Sequence, residues 1–287
     1  MIKITETVRD ALQGIDRWIP TSSKTAYTQS LLKAGFSIVD CGSFVSPKVV
    51  GQMSDTAEVL AHISLPDPAP RIMVLVVNSQ GIDKAVSSGK VNMLSFPYSI
   101  SPTFLKRNLN TDKKQALSLI QELIKKSLPY QFEWVVYLSM GLGNPYGDEW
   151  SMQLLMDEIA ILYESGLRNL PLSDILGIAN PDLIYNVYVT LIDAFPEIDF
   201  GLHLHTRPSE SQSKIEAAWE AGVRSYETAL NGMGGCPTAA NELLGNLNTW
   251  ELISFCNTRN IPHGINETAL LEAGELVRSI FNPTKPS

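Results

Sequence analysis

Cysteine is scarce in this sequence: Cys41, Cys236 and Cys256 are the three in 287 residues. They are too few and too far apart for a disulfide framework or a Cys-x-x-Cys metal knuckle, which points to a reducing compartment. Long apolar runs are missing as well. No stretch approaches the ~18 uninterrupted apolar residues of a membrane-spanning helix, and the opening MIKITETVRD has neither the basic start nor the apolar core of a signal peptide. The expected location is the cytoplasm, with no membrane partner. Positive charge is in deficit: 22 basic against 30 acidic residues leave a formal net charge of -8. Such a chain repels a phosphate backbone, so nucleic acid is not an expected partner. A Gly-x-Gly-x-x-Gly after an early strand is also lacking, which leaves a doubly wound dinucleotide-binding sheet as the second choice of fold.

What is present is a composition that can bury a large core, with 44% hydrophobic and 18% charged residues. Eight short β-rich runs recur along it: Ile2 to Thr7, Ser37 to Cys41, Ile72 to Val77, Val91 to Phe96, Trp134 to Ser139, Asn169 to Ser173, Asp199 to His203 and Arg224 to Thr228. Most are nearly continuous in apolar residues, as strands covered on both faces must be. The segments between them carry helix signals, with Thr21, Ser22 and Ser23 as candidate N-caps and Gly35, Gly89, Gly166 and Gly222 as stops. KAGFSIVD, SSGKVNML, ESGLRNLPL and EAGVRSYE repeat one helix-glycine-strand form. Eight such units predict an α/β fold, a (β/α)8 TIM barrel with closing C-terminal helices, forming a single catalytic domain over residues 1–287. Its chemistry belongs at the carboxyl ends of the strands, where the βα loops meet.

Polar and titratable residues do gather at those ends: Arg9, Asp10 and Gln13 after the first strand, Asp40 and Ser43 at the second, Ser139 at the fifth, Asp174 at the sixth, His203 and His205 at the seventh. In a strand, residues two apart share a face, so the two histidines can address one ion; the plain alternative is a pair hydrogen-bonded at a strand end. Arg9 places a fixed positive charge suited to an oxyanion or enolate, although the Arg-Asp dipeptide standing alone would favour a simple surface ion pair. Gly232-Met233-Gly234-Gly235-Cys236-Pro237 presents a thiol on a loop, a candidate acid or base, against the alternative of a simple tight turn.

Four separated motifs, RDALQ (Arg9 to Gln13), SFVSPKVVGQMSD (Ser43 to Asp55), HLH (His203 to His205) and GMGGCP (Gly232 to Pro237), resemble in order those of the hydroxymethylglutaryl-CoA lyases of the DRE-TIM metallolyase superfamily. LSDILGIANP (Leu172 to Pro181) and KRNLN (Lys106 to Asn110) are similar to further loops of that family, and the SFVSPK segment is the most discriminating. The resemblance implies that Asp10, His203, His205 and Asn246 bind a divalent cation, Mg2+ or Mn2+. It implies that Arg9 stabilises an enolate, that Cys236 is a mobile-loop acid or base, and that Asp40 and Asp174 assist catalysis. Gln13, Ser43, Asn108 and Ser139 would bind substrate. The implied reaction cleaves 3-hydroxy-3-methylglutaryl-CoA to acetyl-CoA and acetoacetate, in a homo-oligomer, a dimer or larger. A Claisen-type acyl-CoA synthase of the same superfamily and a non-catalytic acyl-CoA-binding barrel are the alternatives. Asp40 stands where the family usually has Glu, Ala11 replaces a Gly, Thr206-Arg207 replaces an Asp-Thr or Asn-Thr pair, and Trp250 lies where an acidic residue is common. The stretch before Asn246 is one residue longer.

Overall fold

Each predicted run pairs with its neighbours in sequence, and the first pairs with the last, so that eight parallel strands close into one barrel. The structure, a computed structural model, describes residues 2–235 and 244–281. The strands are β1 (Lys3–Glu6), β2 (Ile38–Ser43), β3 (Arg71–Leu75), β4 (Met93–Ser99), β5 (Glu133–Ser139), β6 (Leu172–Asp174), β7 (Leu202–Leu204) and β8 (Ser225–Thr228). Helices α1 (Val8–Gln13) and α2 (Thr21–Leu31) follow β1, α3 (Thr56–His62) follows β2, α4 (Ser79–Ser88) follows β3, and α5 (Pro102–Leu109) and α6 (Lys113–Ser127) follow β4. The circuit continues with α7 (Met152–Glu164), α8 (Pro181–Ala194) and α9 (Pro208–Glu220), and ends with α10 (Thr249–Thr258) and α11 (Glu267–Phe281), the latter packed on α2.

Closure rests on a four-residue register, Lys3 opposite Ser225 through Glu6 opposite Thr228. Outward side chains such as Ile4, Val39, Ile72, Leu94 and Val136 are buried under the helices, which is why the strands read as apolar runs. The anticipated glycine stops are in place: Gly35, Gly89, Gly166 and Gly222 all have positive φ. At Gly35 a side chain would also collide with the carbonyl of Gly264.

Several strand limits differ from those expected, for physical reasons. Strand β4 runs on through Pro97 to Ser99, because its ladder with β3 stops at Ser95 while that with β5 continues to Ser99 opposite Ser139. A residue without an N–H is tolerated where one side of the strand is already free. Strand β6 begins only at Leu172, since Pro171 has no N–H, and Asn169 is left making single bridges to Val135 and Asp199. Helix α2 is not capped by a side chain either: Pro20 occupies the N-cap, and the Thr21 hydroxyl donates to Asp55 at 2.8 Å.

That bond belongs to a clasp between the loops after β1 and β2. Buried Gln52 donates from Nε2 to the carbonyls of Ile15 (2.9 Å) and Arg17 (2.8 Å) and accepts from the Ile19 N–H (3.0 Å). Buried Lys24 pairs with Asp55 at 2.8 Å and lies over the Trp18 ring. The SFVSPKVVGQMSD segment is therefore anchored at its far end, while its Val45, Val49 and Val50 face the mouth of the barrel.

Candidate active site

A cleft of about 170 Å³ opens at the carboxyl ends of the strands, with Arg9, Asp10, Gln13, Tyr137, His203 and His205 in its wall. A second cavity, about 290 Å³, opens at the opposite end, where the Lys3–Asp199 and Arg71–Glu133 ion pairs, both 2.8 Å, stand in its lining. That end of a barrel serves stability, and its lining contains no metal-ligating cluster among the described residues.

His203 and His205 project inward from β7 and its end, and both are buried. Their outer nitrogens are held. His203 Nδ1 meets Glu227 Oε2 at 2.8 Å, and His205 Nδ1 meets the Leu244 carbonyl at 3.1 Å. A carbonyl only accepts, so His205 carries its proton on Nδ1 and presents the Nε2 lone pair to the cleft. The two Nε2 atoms lie 3.3 Å apart, and Asp10 Oδ2 is 3.4 Å from His205 Nε2. Asp10, His203 and His205 thus offer one buried ligand atom each, all within 4.8 Å of one another. Two imidazoles with oriented lone pairs and one carboxylate form a donor set that fits a divalent cation.

Arg9 organises the carboxylates. Its Nε donates to Asp40 Oδ2 at 2.7 Å, and its Nη1 donates to Asp10 Oδ1 at 3.1 Å and to Gln13 Oε1 at 3.2 Å. Gln13 Nε2 donates in turn to Asp10 Oδ1 at 2.5 Å. Burial pushes Asp10 toward its neutral form, but the His205 imidazole 3.4 Å away and the charge of Arg9 prevail and hold its carboxyl well below the usual range. Asp40 is more deeply enclosed. There burial outweighs Arg9 and raises the carboxyl to about 6.

Asn246 reaches this group because residues 245–248 wedge between the ends of β7 and β8. The Thr206 N–H donates to the Gly245 carbonyl (3.0 Å), the Leu247 N–H to Leu204 (2.8 Å) and the Ala229 N–H to Leu247 (3.0 Å). The longer stretch before Asn246 does not displace it: Nδ2 donates to Asp10 Oδ2 and to the Met233 carbonyl, each at 2.8 Å. The glycines of GMGGCP have a packing reason. Gly234 has φ +89, and a Cβ there would lie 2.6 Å from the Asp10 carbonyl and 2.7 Å from Asn246 Nδ2. Cys236 lies outside the described residues.

Other expected site residues fall into two groups. Ser139 and Asn108 line the cleft, although the Asn108 amide donates to the Phe104 carbonyl at 3.0 Å. Ser43, Asp40 and Asp174 do not line it. The Ser43 hydroxyl accepts the Val45 N–H at 3.1 Å, Asp40 acts through Arg9, and Asp174 accepts the N–H groups of Ile178 (3.1 Å) and Ala179 (2.8 Å), shaping the turn after β6.

Three further residues belong to the site and were not picked out by motif. Glu227, which orients His203, is in register with it on β8. Tyr137 packs edge-on against His203 with centroids 5.6 Å apart, and its buried hydroxyl has no hydrogen-bond partner among the described residues. Glu6, fully buried, accepts the Leu230 N–H (2.6 Å) and the Thr249 hydroxyl (2.8 Å), bracing both ends of the segment that carries Asn246. The available signal was the one acidic residue of a short strand, Glu6 in β1 and Glu227 in β8.

Two outcomes follow from these contacts. Glu227→Gln should weaken Mn2+ binding roughly 10–100-fold by titration calorimetry, the scale for losing a histidine's carboxylate partner; unchanged affinity would show that His203 orients itself. Burial raises the Glu6 carboxyl from its ordinary 4.5 to about 7. The folded state therefore binds this proton more tightly, so the stabilisation is complete below 4.5 and is lost as pH rises through 7. Urea denaturation should show Glu6→Gln gaining on the parent across that window, by up to about 1.4 kcal/mol per pH unit. A constant difference would contradict the assignment.

A family model described as HMGL-like matches residues 2–277. The cytoplasmic 3-hydroxy-3-methylglutaryl-CoA lyase of Mus musculus is 30% identical over 287 residues, covering 100% of this chain and 83% of that protein. The mitochondrial hydroxymethylglutaryl-CoA lyase of Bos taurus is 30% identical over 282 residues, covering 98% of this chain and 86% of its own. Among solved structures, the hydroxymethylglutaryl-CoA lyase from Pseudomonas aeruginosa matches with a TM-score of 0.91 at 26% identity, covering 100% of this chain and 95% of that one. An HMG-CoA lyase from Acinetobacter baumannii, solved in complex with coenzyme A and 3-methylmalate, matches with a TM-score of 0.90 at 26% identity, covering 99% and 93%. Sequence and barrel agree over nearly the whole length, and the chain belongs to the HMGL-like family.

Proposed function

We propose that this enzyme is a carbon-carbon lyase that cleaves 3-hydroxy-3-methylglutaryl-CoA to acetyl-CoA and acetoacetate with the help of Mg2+ or Mn2+. The observation that carries this reading is the convergence of Asp10, His203 and His205 beside Arg9 at the carboxyl end of an HMGL-like barrel. Asn246, whose amide lies against Asp10, would complete the ligand set through its side-chain oxygen. A bound cation supplies Lewis-acid polarisation of the substrate oxygens.

The chain's own groups do the rest. Asp40, Asp10 and Gln13 engage Nε and Nη1 of Arg9, and Nη2 makes no hydrogen bond to the described residues. That free donor face is the one offered to the thioester oxygen, where negative charge develops as the C2–C3 bond breaks. Asp40 keeps the guanidinium at a fixed angle, Gln13 and Asn108 border the acyl group, and the Tyr137 and Ser139 hydroxyls face it. Asp174 shapes the turn beside it, and Ser43 fixes the start of the valine-bearing loop. Cys236 delivers a proton to C2; a thiol's unperturbed pKa of about 8.5 falls in a cationic environment. In this reading residues 1–287 act as one catalytic domain in the cytoplasm, as a dimer or larger, consistent with exposed Tyr185 and Val189 along α8.

Chelated protein should be inactive, and adding Mg2+ or Mn2+ should restore the release of acetoacetate and acetyl-CoA. Cys236→Ala should lower kcat roughly a hundredfold while leaving cation affinity unchanged, the scale for removing an acid-base group. Failure of the cation-loaded protein to cleave the thioester would overturn the assignment, and near-normal turnover by the Cys236 variant would remove the thiol from the mechanism.

A further inference from the structure

Alternation along β1 puts Ile4 and Glu6 on the face covered by the helices, while Lys3 and Thr5 line the cavity at the opposite end of the barrel. On that outer face the other strands present apolar residues such as Val39, Ile72 and Leu94, and β1 presents a carboxyl. Glu6 is fully enclosed, and among the described residues it makes no ion pair. Burying a carboxyl without a counter-charge is costly, and an aliphatic side chain would avoid that cost. Its contacts show what it holds. Oε1 accepts the Leu230 N–H at 2.6 Å, and Oε2 accepts the hydroxyls of Thr249 at 2.8 Å and of Thr228 at 3.3 Å.

Leu230 and Thr249 bound the segment that carries Asn246. Backbone hydrogen bonds with Leu204 and Ala229 hold Leu247 along the ends of β7 and β8. Toward β1, the strand that leads into Asp10, the ties are the Glu6 carboxyl and the Asn246 amide itself, which donates to Asp10 Oδ2 at 2.8 Å. Glu6 is not part of the wall of the cleft, so it touches neither substrate nor cation. A ligand has to be held within about 0.5 Å of its working geometry by the contacts behind it. We propose that Glu6 is a positioning residue for the cation site, which sets the place of Asn246 beside Asp10 by clamping Leu230 and Thr249 to β1; this rests on Asn246 being a ligand in the lyase reading above.

Calorimetric titration with Mn2+ tests this without relying on turnover. Glu6→Ala should raise the Mn2+ Kd about tenfold, the low end of the scale for losing an outer contact of a metal ligand. Thr249→Val removes one tie, keeps the side chain's shape, and should raise the Kd less; it serves where Glu6→Ala fails to fold. Glu6→Gln should restore parental affinity, since its amide oxygen can accept the Leu230 N–H while its amide N–H donates to the Thr249 hydroxyl. In an Asn246→Ala background neither Glu6→Ala nor Thr249→Val should weaken binding further, because the effect runs through that side chain. Additive losses there would overturn the inference, as would fewer binding sites at unchanged affinity, the mark of partial unfolding. Parental affinity in both Glu6→Ala and Thr249→Val would overturn it too and leave Asn246 a ligand. Parental affinity in Asn246→Ala alone would overturn the ligand assignment and this inference with it, whereas the lyase reading is decided separately by acetoacetate release.

Discussion

The ion pairs of one buried guanidinium set the geometry of this site. Arg9 lies between Asp40 and Asp10, with side-chain exposures of 7%, 0% and 8%. Burying such a group is expensive in desolvation, and a well-packed apolar replacement would be neutral or stabilising in a structural core. Its position identifies what it supplies instead: it fixes the Asp10 carboxylate against the histidines and leaves one edge of the guanidinium turned to the cleft. The shorter carboxylate at position 40 is accommodated, since Asp40 still meets Arg9 Nε at 2.7 Å. A side chain wholly enclosed at this position reaches the cleft only by way of Arg9.

Barrel closure makes that arrangement possible. Asp10 arrives on the helix after β1 and the histidines on β7, 193 residues apart at the nearest, and they meet because β8 pairs with both β7 and β1. Residues 245–248 add a further layer by hydrogen bonding to the open ends of β7 and β8, which brings Asn246 over Asp10. Glu6 ties the entry and exit of that segment to β1, so the loop bearing the glycine cluster departs from two fixed points. The close approach of Gly234 to Asp10 and Asn246 then explains why glycine stands there.

The barrel itself was legible because parallel strands covered by helices must be apolar on both faces, and because the intervening helices end on glycines in the left-handed region. The limits of β4 and β6 were not, because they depend on which neighbour still has a free edge beside Pro97 and Pro171. At the site, RDALQ and HLH carry groups that converge. Asp174 and Ser43 carry the same motif signal but turn their oxygens to backbone N–H groups, which no spacing reveals. Glu227 was overlooked because its meaning lies in cross-strand register with His203.

The lyase reading requires Asp10, His203 and His205 to bind one cation together. Pulsed electron paramagnetic resonance on the Mn2+-loaded protein tests it most directly, through the nitrogen nuclei coupled to the metal. Two imidazole nitrogens are expected, reduced to one in His205→Ala and again to one in His203→Ala. A spectrum showing oxygen ligands alone, or one unaffected by either substitution, would contradict it.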